Sequence, residues 1–284
     1  MEALAAIPMD QAIYLAVALI VAGAITGVLS GLFGVGGGAV MVPVLFEVFG
    51  IAGVDDAVRM PLAVGTSLAV IIPTSIRSFR GHHARGAVDM AILRAWAVPI
   101  LVGVIIGAII ARYADPWVFM IVFAVVSSLN AIKLLFSKES WKLGDDLPGP
   151  WPMRFIGSII GLLSSLMGIG GGVMANMVQT LYGRAILPSI ATSSGVGVLI
   201  SIPASLGYIY AGWPQMTADP SLLPPFSLGY ISLIGLVLLL PLTVLTAPLG
   251  VRIAHALPKR TLEVAFGLFL LVVAIRFIAA LLGF

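Results

Sequence analysis

Long apolar blocks run along almost the whole chain and are separated by short turn signals of glycine, proline and charged residues. Such blocks are typical of membrane-spanning helices, which need about 20 apolar residues to cross a hydrocarbon core of roughly 30 Å. The second and seventh blocks are short, and the pattern leaves open whether they span the membrane or form half-helices. The ten predicted segments lie near 11–33, 36–50, 60–79, 88–113, 116–136, 152–169, 170–186, 188–211, 227–256 and 259–283.

Composition supports this interpretation and excludes several classes of function. The chain is 60% hydrophobic and 10% charged, whereas soluble domains carry about 25% charged residues. The basic residues are dispersed, which argues against nucleic-acid binding, and the absence of cysteine excludes disulfide and thiolate chemistry. The first residues include Glu2 and Asp10 but no Lys or Arg, so no signal peptide is predicted. The predicted fold class is an all-α integral membrane protein in a lipid bilayer.

The distribution of positive charge predicts the orientation. With ten segments and an external N-terminus, only three of the 15 Lys and Arg residues fall in external connections. Because positive charge accumulates on the internal side, both termini are predicted to be periplasmic and the protein to lie in the cell inner membrane. The basic run "RSFRGHHARG" is then mainly a topology signal. A weaker alternative is a role in gating or substrate entry for Arg77, Arg80, His82 and His83.

The chain also repeats itself. Residues 27–46, "GVLSGLFGVGGGAVMVPVLF", align with 161–180, "GLLSSLMGIGGGVMANMVQT", and nine of the twenty positions are identical. A second echo pairs "GTSLAV" with "ATSSGV". The predicted organisation is a first repeat at 1–136, a cytoplasmic linker at 137–152 and a second repeat at 153–284.

Five segments in each half place the second half in the membrane in the opposite orientation. Inverted repeats with interrupted helices at matching positions are typical of secondary transporters, whose substrate site lies where the repeats meet. The alternative is a duplicated scaffold in which small residues only allow close helix packing.

The glycine runs indicate an anion site. Glycine permits positive φ, and successive amides before a helix N-terminus form a concavity that favours negative charge. No carboxylate falls within the middle of an apolar segment, unlike a typical cation pathway. A deep serine without a deep histidine argues against an enzyme, so no catalytic residue, metal or cofactor is predicted. The candidate substrate-binding residues are Gly36, Gly37, Gly38, Thr66, Ser67, Gly170, Gly171, Gly172, Asn176, Thr192 and Ser193.

The stretches "GLFGVGGGAVMVPVL" and "GTSLAVIIPTS", with their copies "SLMGIGGG" and "ATSSGVG", resemble the TauE/SafE family of membrane transporters, often called sulfite exporters. The resemblance covers nearly the whole chain and implies export of sulfite or an organosulfonate such as sulfoacetate by alternating access. The second copy departs from the pattern, with Met177 where the first has Pro43. A passive anion channel and an uptake permease for a small oxyanion remain alternatives. The coupling ion and the oligomeric state stay open.

Overall fold

A computed structural model describes residues 17, 19–29, 37–136 and 143–283, and in these ranges the chain is almost entirely helical. Five helices precede the linker and five follow it within the described residues. They are α1 Leu19–Leu29, α2 Gly38–Ile51, α3 Asp56–Ala84, α4 Met90–Tyr113, α5 Pro116–Phe136, α6 Pro150–Met167, α7 Gly172–Leu181, α8 Ile186–Ala218, α9 Leu233–Ala256 and α10 Lys259–Leu281.

Six of these helices, α3, α4, α5, α8, α9 and α10, are long and apolar enough to cross a membrane. Their outward faces carry exposed apolar side chains, such as Val98 at 68% and Ile105 at 57% on α4 and Leu129 at 62% on α5. An apolar outer surface of this kind suits lipid rather than water. The prediction of a helical chain is therefore confirmed, and the six candidate spans support a multi-pass membrane protein.

Helices α3 and α8 form the centre of the protein and run antiparallel. Near the start of α3, a Cβ built on Gly65 would lie 3.1 Å from the Cβ of Tyr208, late in α8. Further along α3, the Oγ of Ser75 would lie 2.7 Å from a Cβ on Gly197, which is earlier in α8. We call the end of the molecule at which α3 begins end A, and the end at which α3 finishes end B.

The last helices of the two halves, α5 and α10, also pack against each other. The rings of Phe123 on α5 and Phe277 on α10 lie 5.0 Å apart. The Nη1 of Arg260 at the start of α10 donates to the carbonyl of Leu134 near the end of α5, at 2.9 Å. Helices α5 and α10 are therefore antiparallel, as α3 and α8 are.

Two further contacts between the halves are parallel. The indole Nε1 of Trp96 on α4 donates to the carbonyl of Met153 on α6 at 3.1 Å, and Gly107 lies against Ser165 further along both helices. The second contact joins α9 of the second half to α1 of the first, where the hydroxyl of Thr246 donates to the carbonyl of Ala24 at 3.0 Å. The contact of α6 with α4 thus has a counterpart in the contact of α1 with α9.

The short helix α7 turns back beside α6, so the two form a hairpin. Leu143, which precedes α6, donates its N–H to the carbonyl of Leu181 at the end of α7, at 2.8 Å. Arg184, just after α7, pairs with Asp89 at the start of α4, which lies at end B. Helix α2 likewise leads through a short turn into the start of α3, at end A. The short helices α2 and α7 therefore finish at opposite ends of the molecule.

The segment between α8 and α9 departs from the predicted helix at 227–256. Strands β1 Ser227–Leu228 and β2 Ile231–Ser232 form a small antiparallel hairpin. It enters the protein beside α8, where the N–H of Tyr230 donates to the carbonyl of Tyr208 at 3.1 Å. Gly65 of α3 lies directly against the carbonyl of Tyr230. Helix α9 therefore begins inside the protein rather than at its surface.

Candidate functional site

The two glycine runs adopt the same conformation where they can be compared. Helix α2 begins after Gly37, at φ 82° and ψ −23°, and α7 begins after Gly171, at φ 75° and ψ −9°. Neither glycine supplies a side-chain cap, whereas Asp55 and Asp89 cap α3 and α4. Since the first N–H groups of a helix have no partner one turn earlier within it, both glycine-headed helices begin, inside the protein, with N–H groups that need other partners. Gly36 lies outside the described residues.

The two glycine turns meet in the interior. Gly38 packs directly against the carbonyl oxygen of Gly168, and its Cβ, if present, would lie 2.5 Å from the Cα of Ile169 and 2.9 Å from Ile71. Gly170 also has a positive φ, of 68°, and it too lies against Ile71. Because Ile71 is in the middle of α3, the turns meet about halfway between end A and end B.

Two hydroxyl groups hold the turn at the end of α6. Ser67 donates to the carbonyl of Gly168 at 2.8 Å, and Tyr208 donates to the carbonyl of Ser165 at 3.1 Å. A hydroxyl has a single hydrogen. In this arrangement Ser67 therefore stabilises the turn. It would have to break its hydrogen bond to Gly168 before it could donate to an anion.

The two predicted threonines have matching roles in opposite halves. The Oγ1 of Thr66 accepts the N–H of Ser232, which precedes α9, at 3.0 Å. The Oγ1 of Thr192 accepts the N–H of Asp89, which precedes α4, at 2.9 Å. Each hydroxyl oxygen is thus committed to an amide of the other half, while its hydrogen remains able to donate to a further acceptor.

Replacing either threonine with valine is expected to destabilise the protein. Thr66→Val keeps the shape of the side chain but leaves the buried N–H of Ser232 unpaired, which costs about 1–3 kcal/mol. Thr192→Val should cost a similar amount through the N–H of Asp89. Unfolding of the purified variants in detergent measures the loss. The control is Thr74→Val, since the hydroxyl of Thr74 bonds to a carbonyl of its own helix; variants at 66 and 192 that unfold like this control would contradict the prediction.

The second half adds polar side chains to its short helix. Gln179 donates to the Oγ of Ser193 at 3.2 Å and to the carbonyl of Ala175 at 3.1 Å. Asn176 lies one turn after Gly172, the first residue of α7, and its Oδ1 is buried without a hydrogen-bond partner among the described residues. Buried polar atoms without a partner are rare. Because a side-chain amide can present either its oxygen or its nitrogen, Asn176 can offer a donor beside the start of α7.

The residues with a predicted gating role lie at end B, away from the glycine turns. The ring of His83 stacks on Phe79 with centroids 5.5 Å apart, and Phe79 packs against Gly195 of α8. Arg77 and Arg80 are exposed on the same turns, and His82 is half-buried. The structure therefore places this run over the end B side of the contact between α3 and α8.

Two buried serines, one on α3 and one on α8, were not predicted from the sequence. Ser75 lies against Gly197, and Ser201 is completely buried, with no hydrogen-bond partner for its Oγ in the described ranges. They are separated by the same interval as Ser67 and Ser193. Extending the repeat alignment beyond the threonine–serine pairs would have found them.

Comparison with known proteins finds a matching family model and several relatives. A family model described as "Sulfite exporter TauE/SafE" matches residues 19–277. A probable membrane transporter protein of Haemophilus influenzae is 34% identical over 254 residues, which cover 89% of this chain and 94% of that protein. Another, from Methanocaldococcus jannaschii, is 29% identical over 254 residues, covering 87% of this chain and 89% of its own length. No solved structure matches the chain.

Proposed function

Because the chain belongs to the TauE/SafE family of membrane transporters, we propose that it exports a small sulfur-containing anion, such as sulfite, sulfoacetate or a related sulfonate, across the inner membrane. Transport proceeds by alternating access around the two glycine turns. The observation that carries this proposal is the pair of uncapped helix N-termini, behind Gly37 and Gly171, that begin inside the protein.

The chemistry of the turns favours an oxyanion. A helix N-terminus carries a partial positive charge and presents free N–H groups, which together bind sulfate-like and carboxylate groups. The buried candidate side chains Thr66, Ser67, Thr192 and Ser193 are uncharged. The substrate's negative charge would therefore meet donors and helix dipoles without an opposing carboxylate.

The packing of the helices supports an inverted relation between residues 1–136 and 153–284, joined by a cytoplasmic linker at 137–152. Equivalent helices of the two halves, α3 with α8 and α5 with α10, lie antiparallel, as a two-fold axis in the membrane plane requires. The threonine contacts follow the same relation, since Thr66 bonds to an amide of the second half and Thr192 to an amide of the first. Such an arrangement supplies the two equivalent states that alternating access needs. The positive-inside rule then places end A and both termini in the periplasm.

The orientation is tested with one cysteine in a chain that has none. Cysteine placed at Ser140, in the linker, should react in intact cells only with membrane-permeant reagents. Labelling is read by mass spectrometry or gel shift. Reaction with an impermeant maleimide added to intact cells would reverse the proposed orientation.

Removal of carboxylates is expected to leave anion binding nearly unchanged. Glu47 pairs with Arg276, and Glu263 pairs with Arg260, both at the ends of the molecule rather than at the turns. Glu47→Gln and Glu263→Gln, made singly, should bind the anion within tenfold of the parent protein in a calorimetric titration. A larger loss, above about 1.4 kcal/mol, would place a carboxylate in the site.

Flux into liposomes tests the proposed function as a whole. A carrier should show saturable uptake of labelled sulfite or sulfoacetate and counterflow against a preloaded anion. A passive anion channel, the alternative from another class, would show flux that rises linearly with the gradient and no counterflow. An uptake permease would give the same saturation but the opposite preferred direction in oriented vesicles.

A further inference from the structure

We propose that two ion pairs act as positioning latches that hold the two short glycine-headed helices, α2 and α7, against the other half, one at each end of the molecule. They are Glu47–Arg276 at end A and Asp89–Arg184 at end B. Each ties a short helix, at the end away from its glycine turn, to a long helix of the other half. The inference rests on the alternating-access function proposed above, but its test needs no transported substrate.

The latch at end A joins α2 to α10. The Nε of Arg276 lies 2.9 Å from Oε1 of Glu47, and its Nη2 lies 3.3 Å from Oε2, so both carboxylate oxygens are engaged. One residue along each helix, the rings of Phe46 and Phe277 pack edge to face with centroids 5.4 Å apart. The ionic contact is 46% exposed on the Glu47 side and 45% on the Arg276 side, so water reaches it at this end.

The latch at end B joins the exit of α7 to the start of α4. The Nη1 of Arg184 lies 3.3 Å from Oδ2 of Asp89. The other carboxylate oxygen of Asp89 caps α4 by accepting the N–H of Ala91 at 3.0 Å. The backbone N–H of Asp89 donates to the hydroxyl oxygen of Thr192. Arg184 thus ties the α6–α7 hairpin to the same point at which the predicted site threonine contacts the first half.

The structure has both latches closed and its centre shut. Thr66, Ser67 and Ser201, which lie at the level of the glycine turns, are completely buried. Exposed ion pairs of this kind contribute little stability, so each can open and re-form within a transport cycle. Loss of one latch frees one short helix at one end, and the population should shift towards the state that is open at that end.

Single-cysteine accessibility tests the latches, because the chain contains no cysteine of its own. The reporter is Ser201→Cys, a nearly isosteric change at a hydroxyl without a hydrogen-bond partner in the described chain. An impermeant maleimide is added to one side of oriented vesicles, with sidedness assigned by a cysteine at Ser140. Glu47→Gln should raise the labelling rate from the end A side about two- to fivefold, the factor that corresponds to one exposed ion pair. Arg184→Gln should do the same from the end B side and leave the end A rate unchanged.

An ion pair between two residues of one helix provides the control. Arg59–Asp56 lies within α3 at end A. Asp56→Asn should leave both labelling rates unchanged. Latch variants that label at the parent rate, that label faster from both sides, or that match this control would overturn the proposal. If liposome flux is absent while the sided labelling occurs, the anion function fails and the latches stand.

Discussion

Gly38→Ala is expected to cost the protein about 3 kcal/mol of stability, at the upper end of the range for overpacking a core. The added methyl group would overlap the carbonyl oxygen of Gly168 and lie 2.5 Å from the Cα of Ile169. Both neighbours are backbone atoms, so no side-chain rotation relieves the clash and the two glycine turns must separate. The loss appears as a lower unfolding temperature and a smaller folded fraction on size-exclusion chromatography.

Gly81→Ala is the matched control. Gly81 also lies within a helix, but no atom comes within 4 Å of the position that its Cβ would take. Alanine there should be neutral or stabilise the protein by up to about 1 kcal/mol through helix propensity. Equal unfolding temperatures for Gly38→Ala and Gly81→Ala would show that the turns are not in contact.

Gly171→Ala is expected to weaken anion binding at least tenfold, or by about 1.4 kcal/mol. At φ +75° an L side chain is strained by about 1–2 kcal/mol, and the new methyl would also meet the side chain of Ile200. Relief of that strain rotates the backbone and redirects the first amides of α7, which are the donors proposed to hold the anion. Calorimetric titration of sulfite or sulfoacetate measures the affinity.

Gly86→Ala separates backbone strain from the loss of the site. Gly86 has a φ of +65° but lies in open space, between α3 and α4 at end B. Its substitution should lower stability by a similar strain energy while the anion affinity stays at the parent value. Anion affinity that falls equally in both variants, or in neither, would remove the α7 amides from the site.

The repeat made the main structural features of the candidate site predictable. Gly37 and Gly171 occupy equivalent positions in the aligned runs, and both begin a short helix in the left-handed conformation. Thr66 and Thr192 likewise occupy equivalent positions and make equivalent contacts. These outcomes depend on local sequence that is present twice, so a single comparison of the halves reveals them.

The directions of the hydroxyl bonds could not be predicted in the same way. Ser67 donates to a carbonyl 101 residues away, at Gly168, and only the packing of α3 against α6 decides between that acceptor and an anion. The β-hairpin was missed because its few residues continue an apolar run. The position of the hairpin depends on the space that Gly65 and Gly212, which lack side chains, leave for the backbone of Tyr230.

The helices also extend further than hydropathy alone predicts. Helix α3 was predicted at 60–79 but extends over Asp56–Ala84. At its start the side chain of Asp55 caps the first turn, and at its end polar residues continue the helix beyond the apolar stretch. Hydropathy marks the part of a helix that lies in lipid, whereas capping and helix propensity decide where the helix stops.

Hydrogen–deuterium exchange with and without anion tests the central claim most directly, since the claim concerns backbone amides. Addition of sulfite or sulfoacetate at constant ionic strength should slow exchange in peptides covering 37–41 and 168–176, and leave the β-hairpin at 227–232 unchanged. Protection that is absent from both turns, or that is confined to the basic run at 77–86, would contradict an anion site at the glycine-headed helices.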